Sequence, residues 1–201
     1  MQVKKDEVRS AILREAEKEF YNKGFIHASI RQIVKAAGTT IGNFYNYFQS
    51  KEALFEELVI DEYRSFVFFL ENHDKVERPD YLWEIADVSK WRHELAKIII
   101  KMMPVFSDRF VLLMECSEGT RFENTRKMMA NLLKDHFIEH MERFGSDNTD
   151  RFLAEIIAEQ VIAGIIWILK KHEDQDIRTR LLVDHFLYHF IGTMGILVKW
   201  E

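Results

Sequence analysis

Between Thr39 and Phe48 the chain carries hydroxyls, carboxamides and phenols without a single carboxylate: Thr39, Thr40, Asn43, Tyr45, Asn46 and Tyr47, with Ile41 and Gly42 among them. Ser29 and Arg31 precede this run and Lys51 follows it. Such a set can press against phosphates and base edges without charge repulsion. Asn43 and Asn46 each present a donor and an acceptor, the pattern that fits adenine N6 and N7, or they bind phosphate. Arg31 pairs bidentately with guanine or with phosphate alone, a solvated arginine being the other reading. Ile41 meets a thymine methyl, which would favour an A·T-containing site, or it is a packing residue. Tyr45 and Tyr47 offer hydroxyls to the sugar–phosphate backbone. Gly42 costs roughly 1 kcal/mol of helix propensity against Ala, a cost that makes sense where a phosphate or base approaches closely. Lys51 in the first turn of a helix opposes the dipole unless an anion is near, and a phosphate would be that anion.

Two short helices must position these groups. Ser29 is the expected N-cap of the first, in which Ile30, Ile33, Val34 and Ala37 form an i, i+3, i+4, i+7 stripe. Gly38 supplies the positive φ that ends it, and Thr39 or Thr40 caps the next. Phe44 and Phe48, four residues apart, anchor that second helix in a core. Two helices across a tight glycine turn read as a helix-turn-helix, whose second helix enters the major groove. Thr40 combines capping with a phosphate contact at the helix N-terminus. A first helix is expected from about Lys4 to Lys23, buried along Val8, Ile12, Ala16 and Phe20, with Gly24 as C-cap and Phe25 folding back onto it. Lys4, Lys5 and Arg9 reach phosphates or form solvated surface.

The full string is Phe20, Gly24-Phe25, Ser29-Ile30-Arg31-Gln32-Ile33, Ala36-Ala37-Gly38, Gly42-Asn43-Phe44-Tyr45-Asn46-Tyr47-Phe48 and Ser50-Lys51-Glu52-Ala53-Leu54. It resembles the N-terminal domain of the TetR family of transcriptional regulators over about the first quarter of the chain. Ile41 departs from that family's pattern, where a lysine is common. The resemblance implies an all-α homodimer that binds operator DNA and releases it when a small molecule binds the C-terminal domain. It further implies an arginine at Arg31 against the DNA, and a fourth helix that moves the head when ligand binds.

The fourth helix is expected from Ser50 to about Leu70, followed by a polar linker at residues 72–80. Further helices are expected at about Tyr81–Met103, Pro104–Met114, Gly119–Phe144, Thr149–His172 and Ile177–Lys199, making about nine in all. The division is therefore a DNA-binding domain at 1–52, its connecting helix running on to about 71, and a ligand-binding and dimerisation domain at 53–201. Trp91, Met102, Met103, Phe106, Phe110, Met114, Phe122 and Met128 are soft or aromatic and suit either a hydrophobic effector pocket or plain core packing. The last two helices are apolar on two sides and so need two burial surfaces. Ile162, Ile166 and Leu169, with Phe186, Phe190 and Met194, are assigned to a partner subunit.

Length and composition agree. The 201 residues, 47% hydrophobic and 30% charged, are ordinary for a soluble globular protein, and only two prolines leave long uninterrupted helical segments. One cysteine, Cys116, excludes a disulfide framework and fits the cytoplasm. The N-terminus has no apolar signal core, and the run Val161–Leu169 is about half a membrane span, so no membrane partner is expected. Net charge is −5, yet residues 1–52 hold nine Lys/Arg against six Asp/Glu, a net of +3 where the helix-turn-helix lies. His136 with His140, and His185 with His189, have the spacing of metal ligands, but nothing completes either set, so no metal is assigned. The second pair suits a dimer interface that protonation weakens. No phosphate loop or nucleophile motif is present, so neither a cofactor nor an enzyme is expected. A helical scaffold that binds protein, or a metal-responsive regulator of the same fold, is the alternative to a DNA-binding repressor.

Overall fold

The computed structural model describes residues 2–72, 106–143 and 151–197, with positions 90, 92, 93, 96, 97, 100 and 101 between them. Eight helices organise these residues, and no strand occurs among them. They are α1 (Gln2–His27), α2 (Ile30–Ala36), α3 (Ile41–Phe44), α4 (Lys51–Asn72), α5 (Asp108–Glu115), α6 (Thr125–Arg143), α7 (Arg151–Lys171) and α8 (Gln175–Leu197). The expected helix at Tyr81–Met103 lies largely outside the described residues, although the described positions from 90 to 101 are helical.

Two compact units emerge, one of residues 1–68 with 108–126, the other of residues 69–107 with 127–201. In the first, α1 buries Ile12, Ala16 and Phe20, as its periodicity predicts. Gly24 breaks the helix with φ 70 and ψ 166, a left-handed conformation that costs a glycine nothing. Phe25 then turns back so that its ring lies 5.9 Å from Phe20 and 5.4 Å from Phe55 of α4. Leu54, Leu58 and Val59 of α4 are buried with this aromatic cluster in the core of the unit.

Segment 108–126 belongs to this unit, whereas sequence reasoning placed it in the larger C-terminal domain. On α5, Phe110, Val111, Leu112, Leu113 and Met114 are all buried, and the helix packs on α1. Helix α6 starts at Thr125 rather than at Gly119, because Gly119 takes φ +81. A chain of turns fills the interval, with the Ser117 hydroxyl donating to Leu113 O at 2.8 Å and Thr120 Oγ1 to Ser117 O at 2.7 Å. Such local side-chain bonds compete with helix continuation.

In the second unit α7 and α8 form an antiparallel pair joined by residues 172–174. Asp174 caps α8, its Oδ1 accepting from Ile177 N at 2.9 Å. Buried Arg178 donates to Leu169 O at 2.7 Å and to His172 O, satisfying carbonyls at the end of α7. Helix α7, 21 residues long, is by length and composition apolar enough to cross a bilayer, so the shorter run noted in the sequence understated it. Eight of its residues lie buried in the unit, from Ala154 to Leu169, which accounts for its composition as that of a core helix.

Candidate nucleic-acid interface

The corner that delivers α2 is held from several directions. Lys51 Nζ donates to the carbonyls of Phe25 at 2.7 Å, Ala28 at 3.2 Å and Ile26 at 3.3 Å, and lies 4.4 Å from the Phe25 ring centroid. Three backbone oxygens therefore answer the lysine at the start of α4. The groups that answer this cation are carbonyls of the chain rather than the phosphate expected at this position. Phe25 N also donates to Cys116 O at 2.9 Å, tying the same corner to the segment after α5. Ser50 caps α4, its hydroxyl accepting from Ala53 N at 3.1 Å. The Ser50 hydroxyl and the backbone N–H hold the Glu52 carboxyl below its ordinary range.

Helix α2 buries Ile33 and Val34 and turns Arg31 and Lys35 outward. Ser29 occupies the N-cap position in extended conformation, but its side chain makes no cap bond. Instead its backbone N–H donates to Glu19 Oε1 at 3.2 Å. Burial raises the Glu19 carboxyl, but hydrogen bonds from Lys23 and the Ser29 amide outweigh it and leave the group below its ordinary range. After Ala37, Gly38 takes φ +67 and Thr39 N closes the turn on Val34 O at 2.8 Å.

Thr40 caps α3, its Oγ1 accepting from Asn43 N at 3.2 Å. Phe44 and Phe48 are buried with their rings 5.6 Å apart. Each contributes about 1.5–3 kcal/mol by burial and fixes which face of α3 points inward. The opposite face carries Ile41 at 39% exposure and Tyr45 at 55%, together with exposed Thr40, Gly42 and Asn46. Thr39, Asn43 and Tyr47 are half-buried beside them. The polar side chains are linked, because Asn43 Nδ2 donates to Thr39 Oγ1 at 2.8 Å and Asn46 Nδ2 to Asn43 Oδ1 at 3.2 Å. The two asparagines, each expected to offer its own donor and acceptor, are thus coupled to one another. Their i, i+4, i+7 spacing from Thr39 was the signal that they share a face.

Arg9, offered as a phosphate ligand, pairs instead with Glu57 and lies over the Phe48 ring at 5.5 Å. Among the described residues no carboxylate pairs with Arg31 or Lys35, so these two carry the accessible charge of the helix-turn-helix.

The expected effector residues are divided between the two units. Phe110, Met114 and Phe122 belong to the core of the first unit, Phe122 lying 5.0 Å from the Tyr63 ring and 6.4 Å from Phe55. Phe106 is buried in the second unit, 6.3 Å from Phe186. Met128 is exposed, and Trp91, Met102 and Met103 lie outside the described residues. The partner-facing assignment also changes. Ile162, Ile166 and Leu169 are buried within the chain itself, because about half the circumference of α7 is covered by its own unit. Phe186 is half-buried, and the side chains of Phe190 and Met194 lie outside the described set. His185 and His189 stack edge to face at 4.6 Å, and no cluster of three metal-ligating groups occurs among the described residues. For the first histidine pair, His136 is half-buried and the side chain of His140 is not described.

A capped four-residue helix, set by two phenylalanines behind a glycine turn, completes a helix-turn-helix of the kind that binds DNA. A family model described as bacterial regulatory proteins, tetR family, matches residues 12–58. The uncharacterized HTH-type transcriptional regulator YdgC of Bacillus subtilis (strain 168) is 49% identical over 61 residues, 30% of this chain and 31% of that protein. The HTH-type transcriptional regulator UidR of Escherichia coli (strain K12) is 28% identical over 132 residues, 65% of this chain and 61% of that protein. The chain thus matches about a third and about three-fifths of the lengths of these two curated relatives. A TetR-family transcriptional regulator from Bordetella parapertussis 12822 shares the fold, with a TM-score of 0.57 at 16% identity over 92% of this chain and 96% of that one. Residues 12–58 thus resemble the N-terminal part of the tetR family of bacterial regulatory proteins, and the described chain shares the fold of one solved member.

Proposed function

We propose that the protein is a sequence-specific DNA-binding transcriptional regulator that acts as a homodimeric repressor. The observation that carries this reading is the outward face of α2 and α3, where Arg31, Lys35, Tyr45 and the asparagine pair stand exposed or half-buried without a carboxylate. Ser29 Oγ, the Thr40 cap and the Tyr45 and Tyr47 hydroxyls suit phosphate contacts, while the asparagines suit base edges. Lys51 acts through the α1–α2 corner that it fastens. Two such heads on a two-fold axis would meet a pseudo-palindromic site with half-sites about 34–36 Å apart, or a multiple of one turn.

The partner surface we assign is the exposed apolar stripe of α7, Phe152, Ile156 and Trp167, together with exposed Tyr188 and Ile191 of α8. Trp167 at 76% exposure and Tyr188 at 73% are costly to leave in water. An apolar or amphipathic effector binding the second unit would release the DNA, provided that it binds the released state more tightly. The aromatic and methionine content of residues 83–129 supports an effector of that class.

Selection of duplexes from a randomised pool, followed by titration of the best one at two salt concentrations, tests the reading. Recovery of a palindrome, with affinity lost in Arg31→Ala and Tyr45→Ala, is the expected result. Enrichment of nothing, with weak binding that vanishes in salt, would favour a helical scaffold that binds protein.

A further inference from the structure

We propose that Asn46 is the side chain that reads a base, an adenine taken through N6 and N7, and that Thr39 and Asn43 are positioning residues that set its amide. The inference rests on the DNA-binding reading above and deepens it. Thr39, Asn43 and Asn46 form a directed chain of hydrogen bonds along one face. Asn43 Nδ2 donates to Thr39 Oγ1 at 2.8 Å, and Asn43 Oδ1 accepts from Asn46 Nδ2 at 3.2 Å. The asparagine in the middle therefore has both ends of its amide committed within the protein. Asn46 has given one N–H to Asn43 and keeps its Oδ1 and its second N–H, and its side chain is exposed.

What Asn46 keeps is one acceptor and one donor in a single amide plane. That pattern complements the adenine edge, where N6 donates and N7 accepts. Guanine presents O6 and N7, both acceptors, so Asn46 Oδ1 would face another oxygen. Thymine offers O4 with a methyl group, and cytosine only a donor, so neither satisfies both ends. The chain also prepays ordering, because an amide already held by Asn43 has less rotamer freedom to lose on binding than one swinging in solvent.

Thr39 sets the direction of the chain. With Oγ1 present, Asn43 turns its N–H₂ toward Thr39 and its oxygen toward Asn46. Without that acceptor, the Asn43 amide is free to reverse and offer N–H to Asn46. Asn46 would then turn its own oxygen inward and present its N–H₂ outward, which matches two acceptors better than an acceptor and a donor. Loss of Thr39 Oγ1 thus relaxes the preference for adenine and moves it toward guanine, although Thr39 touches no base.

The experiment uses the full chain and the duplex recovered by selection, with each base pair of a half-site replaced in turn. Wild type is expected to prefer adenine by roughly tenfold or more at one position per half-site. That preference should collapse when 7-deaza-adenine, which lacks N7 as an acceptor, is placed there. Asn46→Ala should flatten this position and leave the others unchanged. Thr39→Val should flatten it or shift it toward guanine, while Thr39→Ser, which keeps Oγ1, retains it. Circular-dichroism spectra of all three variants should match wild type, so that a change in base preference is not a loss of fold. The proposal is overturned if Asn46→Ala leaves every base preference intact, or if Thr39→Val keeps the adenine preference. Should wild type enrich no sequence at all, the DNA-binding reading itself falls, an outcome distinct from the loss of one reader.

Discussion

Gly42 lies in the reading helix with nothing within 4 Å of where a Cβ would stand. The protein itself therefore has room for alanine, which forms helix more readily by about 0.5–1 kcal/mol. Gly42→Ala is expected to leave the thermal midpoint unchanged or slightly higher while affinity for the selected duplex falls tenfold or more. Parallel melting and titration would check it, and undiminished affinity would remove close approach as the reason for the glycine. Lys51 makes the opposite case. Replacement by Met keeps the aliphatic stem but leaves the Phe25, Ile26 and Ala28 carbonyls without their shared donor. A loss of about 1.5–3 kcal/mol in denaturant unfolding is expected, that being the usual worth of bonds to a charged group. The slope of log affinity against log salt should stay as it is, because this charge is already spent inside the protein. A phosphate ligand at this position would instead lower that slope by nearly one.

Helix pairing depends on single contacts of the same kind. A Cβ on Gly164 of α7 would stand 2.1 Å from His185 Cε1 of α8, so only glycine lets the imidazole lie against the helix. There its Nε2 is 3.0 Å from Val161 O. Gly164→Ala must displace the ring, at a cost of about 1–3 kcal/mol. In the double variant Gly164→Ala/His185→Ala the loss should be less than the sum of the two singles, since the clash disappears with the ring. The neighbouring His189 is pushed down from 6.5 to about 4, first by burial and then by the charge of His185. Because the folded state disfavours the proton, stability on this account is fully present above pH 6.5. It is lost as pH falls from there toward 4, the unfolded chain binding the proton first. Urea midpoints across that interval should decline less in His189→Gln than in wild type.

Across the whole chain, a net charge of −5 coexists with +3 over residues 1–52. With Arg9 paired to Glu57 and Lys51 engaged on carbonyls, few cations remain to hold DNA by charge alone. On the proposed reading, affinity comes from two heads acting together, which makes dimerisation a condition of that function. Trp167→Glu should shift the sedimenting species from dimer to monomer and reduce binding to a full palindrome far more than to a single half-site. A dimer that persists unchanged would place the partner surface elsewhere.

What was legible in the sequence was local. The i, i+4 phenylalanines, the glycine before the threonines and the carboxylate-free run foretold α2, the turn, the Thr40 cap and the outward face of α3, because each follows from neighbours within two turns. Periodicity likewise foretold that Ile162, Ile166 and Leu169 would be buried, but not what would bury them. A stripe records the need for a cover and not its source, and here the chain supplied the cover itself. The same limit explains Lys51, whose partners lie more than twenty residues away, and segment 108–126, which joins a core made by residues ninety positions earlier. Those pairings depend on how distant surfaces fit once the helices exist, and the tertiary structure alone decided them. The amino-acid order by itself determined α2, the glycine turn and the carboxylate-free face proposed to meet DNA, since capping, turn geometry and side-chain spacing act at short range.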